Sequence, residues 1–97
     1  MITSKQRSFL RSMAHSIDPV AYLGKQGLTE NVVKQIDICL ESRELVKVKL
    51  QEGCDLNAKE VANEVAERLG AEFVQAIGHK FTLYRESKDN KQIVLPK

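Results

Sequence analysis

At 97 residues, with 42% hydrophobic and 29% charged side chains, the chain has the size and balance of one domain with one core, not of two domains or a disordered tract. No apolar run is long enough for a bilayer, and the opening Ile2-Thr3-Ser4-Lys5-Gln6-Arg7 is polar where a signal sequence turns apolar, so a cytoplasmic location is expected. The formal net charge is only +2, but residues 1–28 hold four basic side chains against one acid and the remainder eleven against twelve, which points to a specific anionic partner.

The first segment opens with Thr3 and Gln6 at capping-box spacing, and Phe9, Leu10, Met13, Ala14 and Ile17 then recur as one helical apolar stripe. Lys5, Arg7 and Arg11 lie off that stripe among serines, with no acid before Asp18. The helix must end before Pro19. Val20-Ala21-Tyr22-Leu23 is a short apolar run closed by Gly24, the pattern of a buried strand.

After Gly24-Lys25-Gln26-Gly27, Thr29 caps a second helix with Val32, Val33, Ile36, Cys39 and Leu40 on its inner face and Lys34, Asp37 and Glu41 outside. Leu45-Val46-Lys47-Val48-Lys49-Leu50 alternates strictly, so Val46, Val48 and Leu50 face a core and the lysines the other side. Asn57 and Glu60 cap a third helix that carries Val61, Ala62, Val65, Ala66 and Leu69 and stops at Gly70. Phe73–Ile77, the turn Gly78-His79-Lys80 and Phe81–Tyr84 form a closing hairpin. Residues 1–86 make the domain; residues 87–97 read as a polar, frayed tail in which Ile93-Val94-Leu95 could dock.

The fold class is therefore α/β with the order α-β-α-β-α-β-β. Right-handed crossovers put helices on one face of a mixed four-stranded sheet, in two layers. The pattern does not set the strand order.

Three readings of the GKQG loop compete: a plain turn, a nucleotide phosphate loop, and a grip on a polymeric phosphate backbone. A Walker-type loop needs a glycine five residues before its Gly-Lys pair and Ser or Thr after the lysine; here Pro19 and Gln26 stand there, so that reading fails. A helix amino terminus offers unpaired N–H donors, glycines allow a phosphate close approach, and Lys25 adds a charge that neutralises phosphate without reading a base. KH domains clamp RNA backbone with a comparable glycine-flanked loop, set there between two helices. The acid-free basic face of the first helix favours the backbone grip over the plain turn.

Other candidates read more plainly. Lys47 and Lys49 are the polar side of a strand, diluted by nearby Glu44, Glu52 and Asp55, although they would extend the basic surface if that sheet face were open. Tyr22 and Tyr84 are read as core or sheet-edge aromatics, and a 5% aromatic content argues against a stacking-led mechanism. His79 is a turn residue that with Lys80 is within reach of RNA bound at the turn, and His15 a surface residue. Cys39 reads as a small buried hydrophobe and Cys54 as a loop thiol. With His15 and His79 they give no metal spacing, no disulfide framework and no nucleophile–base pair, so neither a cofactor nor an enzyme is expected.

The segments Thr3–Arg11, VAYLGKQGLTENVVKQI, ESRELVKVKL and AIGHKFTLYR resemble the CRM domain (chloroplast RNA splicing and ribosome maturation), and more closely its free-standing bacterial YhbY-like form, from about Thr3 to Arg85. The resemblance implies a fold similar to the carboxy-terminal domain of translation initiation factor three. It also implies RNA binding, with ribosomal RNA of the large-subunit precursor as partner during assembly. The family's GxxG loop falls on Gly24, Lys25, Gln26 and Gly27, and its basic helix on Lys5, Arg7 and Arg11. A monomer without membrane partners is expected. The rival reading is a protein-interaction module that docks on a ribosomal protein or assembly factor through the sheet face, using Lys47 or Lys49.

Overall fold

The structure is a computed structural model that describes residues 2–97; Met1 lies outside the described residues. Its elements are α1 (Ser4–Ala14), β1 (Ala21–Leu23), α2 (Glu30–Arg43), β2 (Leu45–Leu50), α3 (Ala58–Leu69), β3 (Glu72–Ile77) and β4 (Lys80–Tyr84). Each helix starts where the sequence supplies a cap. The Thr3 hydroxyl accepts the Gln6 N–H at 3.1 Å while the Gln6 carbonyl accepts the Thr3 N–H at 2.9 Å, a complete capping box. Thr29 accepts from Val32 N–H at 3.2 Å and Asn57 from Glu60 N–H at 3.1 Å. α3 ends on Gly70 at φ +65°, where a side chain would be strained.

The sheet order is β1-β2-β4-β3, with β1 parallel to β2 and β4 antiparallel to both β2 and β3. β4 is thus inserted between two strands that run the same way, and β1 and β3 are the edges. Val46, Val48 and Leu50, with Ala21, Leu23, Phe81 and Leu83, pack on Ile36 and Leu40 of α2 and Val61, Ala62 and Val65 of α3. That is the main core, on the face the crossovers require. α1 departs from the one-face expectation. Its Leu10 is buried against Leu45, Val74 and Tyr84, which point to the opposite face of the sheet.

The second face falls into cross-strand rows. Leu45, Tyr84 and Glu72 form one row, at the end covered by α1 and the chain terminus. Lys47, Thr82 and Gln75 form the next. Tyr22, Lys49, Lys80 and Ile77 form a row across all four strands, beside the GKQG loop. All four residues of that last row are exposed, so this part of the second face stays open.

Residues 87–97 form no helix or strand and are largely exposed, but they are tied to the domain at Ser87, Gln92 and Ile93, and Ile93 and Leu95 dock as the sequence allowed. Glu44 ends α2 at φ +67°, a left-handed conformation unusual for a non-glycine, and is fully buried. Its carboxylate accepts N–H groups from Ser87 at 2.8 Å, Gln92 at 2.6 Å and Ile93 at 2.8 Å. Glu41 accepts the Ser87 hydroxyl at 2.8 Å, and Ile93 and Leu95 pack beside Leu10. Asp37 and Glu41, expected on a solvent face, therefore hold other chain segments: Asp37 pairs with Arg85 at 2.7 Å.

The Ser87 hydroxyl, with backbone N–H groups of Asp89 and Lys88, lowers the Glu41 carboxyl below its ordinary 4.5, against the opposing effect of burial. Burial raises Glu44, but its three N–H donors and Lys91 outweigh that and leave it below 4.5 as well. Both folded values are depressed, so this stabilisation is complete above the unfolded value and disappears as pH falls through the folded values. Acid titration should therefore release residues 87–97 below about pH 4.5, seen as lost amide protection at Ser87, Gln92 and Ile93. Glu44→Gln should produce the same loss at neutral pH with a destabilisation of about 1–3 kcal/mol, because an amide donor then faces an N–H. Unchanged protection in Glu44→Gln would show that Glu44 does not hold the tail.

Candidate nucleic-acid interface

Gly24–Gly27 forms a tight turn in which Gly27 N–H donates to Gly24 O at 3.0 Å. Gly27 has φ +69°, and a Cβ there would lie 3.0 Å from Leu56 Cδ1. Gly24 has no such restriction; its nearest neighbour to a Cβ would be Gln51 Oε1 at 3.8 Å. The Lys25 stem lies over Gly53, where a Cβ would come within 3.3 Å of Lys25 Cγ. The loop is thereby seated on the β2–α3 connection, with Lys25 and Gln26 exposed. The N–H groups of these two residues and the Lys25 ammonium have no partner among the described residues.

The neighbouring helix terminus is less available than the sequence suggests. Leu28 and Thr29 separate the turn from α2. Thr29 already occupies the Val32 N–H, and Glu30 places a carboxylate in the first turn, where it pairs with Arg68 at 2.9 Å. The turn's own N–H groups add to the N–H groups of Glu30 and Asn31, for which no partner is found among the described residues.

Arg7 and Arg11 are not brought to the loop. Arg7 Nε donates to Phe73 O at 3.1 Å and Arg11 Nε to Val74 O at 3.5 Å, at the bulge on edge strand β3. GKQG follows the opposite edge strand, and three strand spacings put about 14 Å between those edges. The two arginines clamp α1 to β3 and blunt an edge that could otherwise pair with another strand. Each guanidinium keeps its Nη donors for a further partner. Lys5 is exposed on the first turn of α1. The sequence-derived site is thus two cationic positions on opposite edges.

Between them lies what the sequence reading left as plain strand polarity. A groove of about 370 Å³ on the open half of the second face is lined by His15, Lys47, Lys49, Lys80, His79 and Gln75, together with Ile77 and Thr82, and no carboxylate lines it. Glu44, taken as diluting the lysines, is buried at the far end of the sheet and bound to the tail. Of the two tyrosines read as core or sheet-edge, Tyr22 is the edge residue, 49% exposed on β1, and Tyr84 the buried one.

Taken together, the described residues form a small α/β sheet domain with a seated glycine turn, an exposed lysine and an open face whose groove no carboxylate lines. No helix among the described residues is long and apolar enough to cross a membrane. The profile of the CRS1/YhbY (CRM) domain matches residues 2–85, and the chain belongs to this family. It is 45% identical over 96 residues to the Bacillus subtilis (strain 168) protein named "Probable RNA-binding protein YqeI", covering 99% of this chain and 100% of that one. A Haemophilus influenzae protein named "RNA-binding protein" is 41% identical over 97 residues, covering 99% and 96%. The solution structure of hypothetical protein SAV1595 from Staphylococcus aureus superposes with TM-score 0.83 at 49% identity, over 99% of this chain and 100% of that one.

The two glycines make separable predictions. Gly27→Ala should cost roughly 1 kcal/mol or more through its positive φ and the Leu56 contact, lowering Tm by several degrees. Gly24→Ala should leave Tm unchanged; a loss of RNA affinity in that variant, measured by gel shift, would report backbone approach rather than folding. Equal Tm losses in both would contradict the assigned geometry.

Proposed function

We propose that this protein binds structured RNA without catalysing a reaction on it, and that the RNA is ribosomal, met during assembly of the large subunit. The observation that carries the reading is the seated GKQG turn, with two unpaired N–H groups and an unpaired lysine on one exposed surface. Such donors suit phosphate oxygens and carry no base preference, so RNA shape selects the site. Gly24 and Gly27 give access, Gln26 adds a side-chain donor, and Lys25 supplies charge. Lys5, Arg7 and Arg11 form the second contact on the opposite edge, which a folded RNA reaches together with the first and a narrow ligand does not. The names of the relatives from Bacillus subtilis and Haemophilus influenzae support RNA as the ligand class. A cytoplasmic location and a monomeric state belong to the same proposal.

Lys25→Glu should weaken binding of a ribosomal RNA fragment and lower the slope of log affinity against log salt by about 1, with Tm unchanged. Arg7→Gln with Arg11→Gln should also lower the slope, but with a reduced Tm, because both side chains anchor α1 to β3. A salt slope identical to the wild type in Lys25→Glu would remove the loop from the interface.

A further inference from the structure

Among the described residues, Lys49 and Lys80 of the row Tyr22, Lys49, Lys80, Ile77 make no ion pair, although Glu52 lines the neighbouring cleft beside Lys49. Lys49 and Lys80 are directly opposite in the β2–β4 register, and like charges so placed on one face oppose pairing. Lys47 lies two residues along the same face, and no carboxylate lines the groove. Both ends of the row are apolar and uncovered, Tyr22 at 49% and Ile77 at 60% exposure. An exposed lysine pair set between two exposed apolar side chains suits an anionic ligand that also has flat apolar surface.

The row also joins the two contacts already described. Tyr22 and Leu23 run directly into Gly24, and Lys49 and His79 share a cleft with Gly53, on which Lys25 rests. At the other end Ile77 and Arg11 line one groove along the β3 edge. The row spans about 14 Å across four strands, so a ligand lying along it would connect the loop to the arginines.

We infer that the open half of the sheet is a binding surface for a short unpaired RNA segment adjoining the structured RNA held by the GKQG loop. Lys49, Lys80 and Lys47 neutralise its phosphates, and Tyr22 stacks on a base. A duplex satisfies the lysines but hides its base faces, whereas an unpaired strand offers phosphates and base faces together. An acidic peptide satisfies the lysines but does not extend the phosphate path that begins at Lys25. The inference rests on the RNA-binding reading and adds the form of RNA and a second set of residues to it.

The test compares one ribosomal RNA hairpin with the same hairpin carrying a short single-stranded extension, in a gel-shift titration at fixed salt. Wild type should bind the extended RNA on the order of tenfold more tightly. Tyr22→Ala, and Lys49→Gln with Lys80→Gln, should each lose that gain. The lysine double variant should keep or raise its Tm because a repulsion is removed, so a lost gain cannot be ascribed to unfolding. Absence of a gain in wild type, or an undiminished gain in both variants, overturns the inference while leaving hairpin binding intact. Failure of wild type to bind the hairpin at all overturns the RNA reading itself. An undiminished gain, with RNase-resistant association with ribosomal particles lost in the lysine variant, overturns it in favour of protein docking.

Discussion

The register of β2 against β4 is the constraint on which the rest of the molecule depends. It sets Val48 opposite Phe81 and Val46 opposite Leu83 on one face, and Lys49 opposite Lys80 and Lys47 opposite Thr82 on the other. A strand has a period of two, so a slip by one residue would bury the lysines under α2 and α3 and expose the valines. Main core and cationic face are therefore fixed by one pairing. The core holds the register, since burying Val46, Val48, Phe81 and Leu83 contributes on the order of 1.5–3 kcal/mol for each large side chain, which outweighs the cross-strand lysine repulsion of at most about 1 kcal/mol.

Much of the fold was legible because its signals are local. The Thr3–Gln6 box, the Thr29 and Asn57 caps, the Gly70 stop and the alternation of Leu45–Leu50 each involve residues within a few positions of one another. Strand order was not legible, because the β2–β4 pairing joins residues from 31 (Lys49 and Lys80) to 39 (Leu45 and Tyr84) positions apart, through an insertion that periodicity does not encode. The face taken by α1 was hidden for a similar reason. An apolar stripe says that a helix packs, not on which side of the sheet. Glu44 looked like a surface acid before a strand; its burial comes from three backbone donors contributed by residues more than forty positions later.

The candidate site was half legible. The GKQG turn is where the pattern put it, but the helix-terminus argument is only part of its chemistry: Thr29 takes one N–H of α2 and Glu30 adds a carboxylate there, while the turn supplies N–H donors of its own. Arg7 and Arg11 were chosen for charge and also have a structural task, holding the β3 edge. Lys49 and Lys80 gave no signal individually, since one lysine in a strand is ordinary. Only the register shows that they oppose each other, and only the folded face that no carboxylate lines the groove they share. Loop and open sheet face then form one path at the end of the sheet where Tyr22, Lys49, Lys80 and Ile77 are exposed; Arg11 joins it along the β3 edge beside Ile77, and Arg7 lies farther back at Phe73.

The central claim is that this path, and no other surface, meets RNA. Amide chemical-shift mapping during titration with a structured ribosomal RNA fragment carrying an unpaired extension tests it most directly. The account predicts the largest changes at Lys25, Gln26, Tyr22, Lys49 and Lys80, with smaller ones at Arg7 and Arg11. Changes concentrated on the exposed surface of α2 and α3, or around Asp37 and Lys88, with the GKQG turn silent, would contradict it.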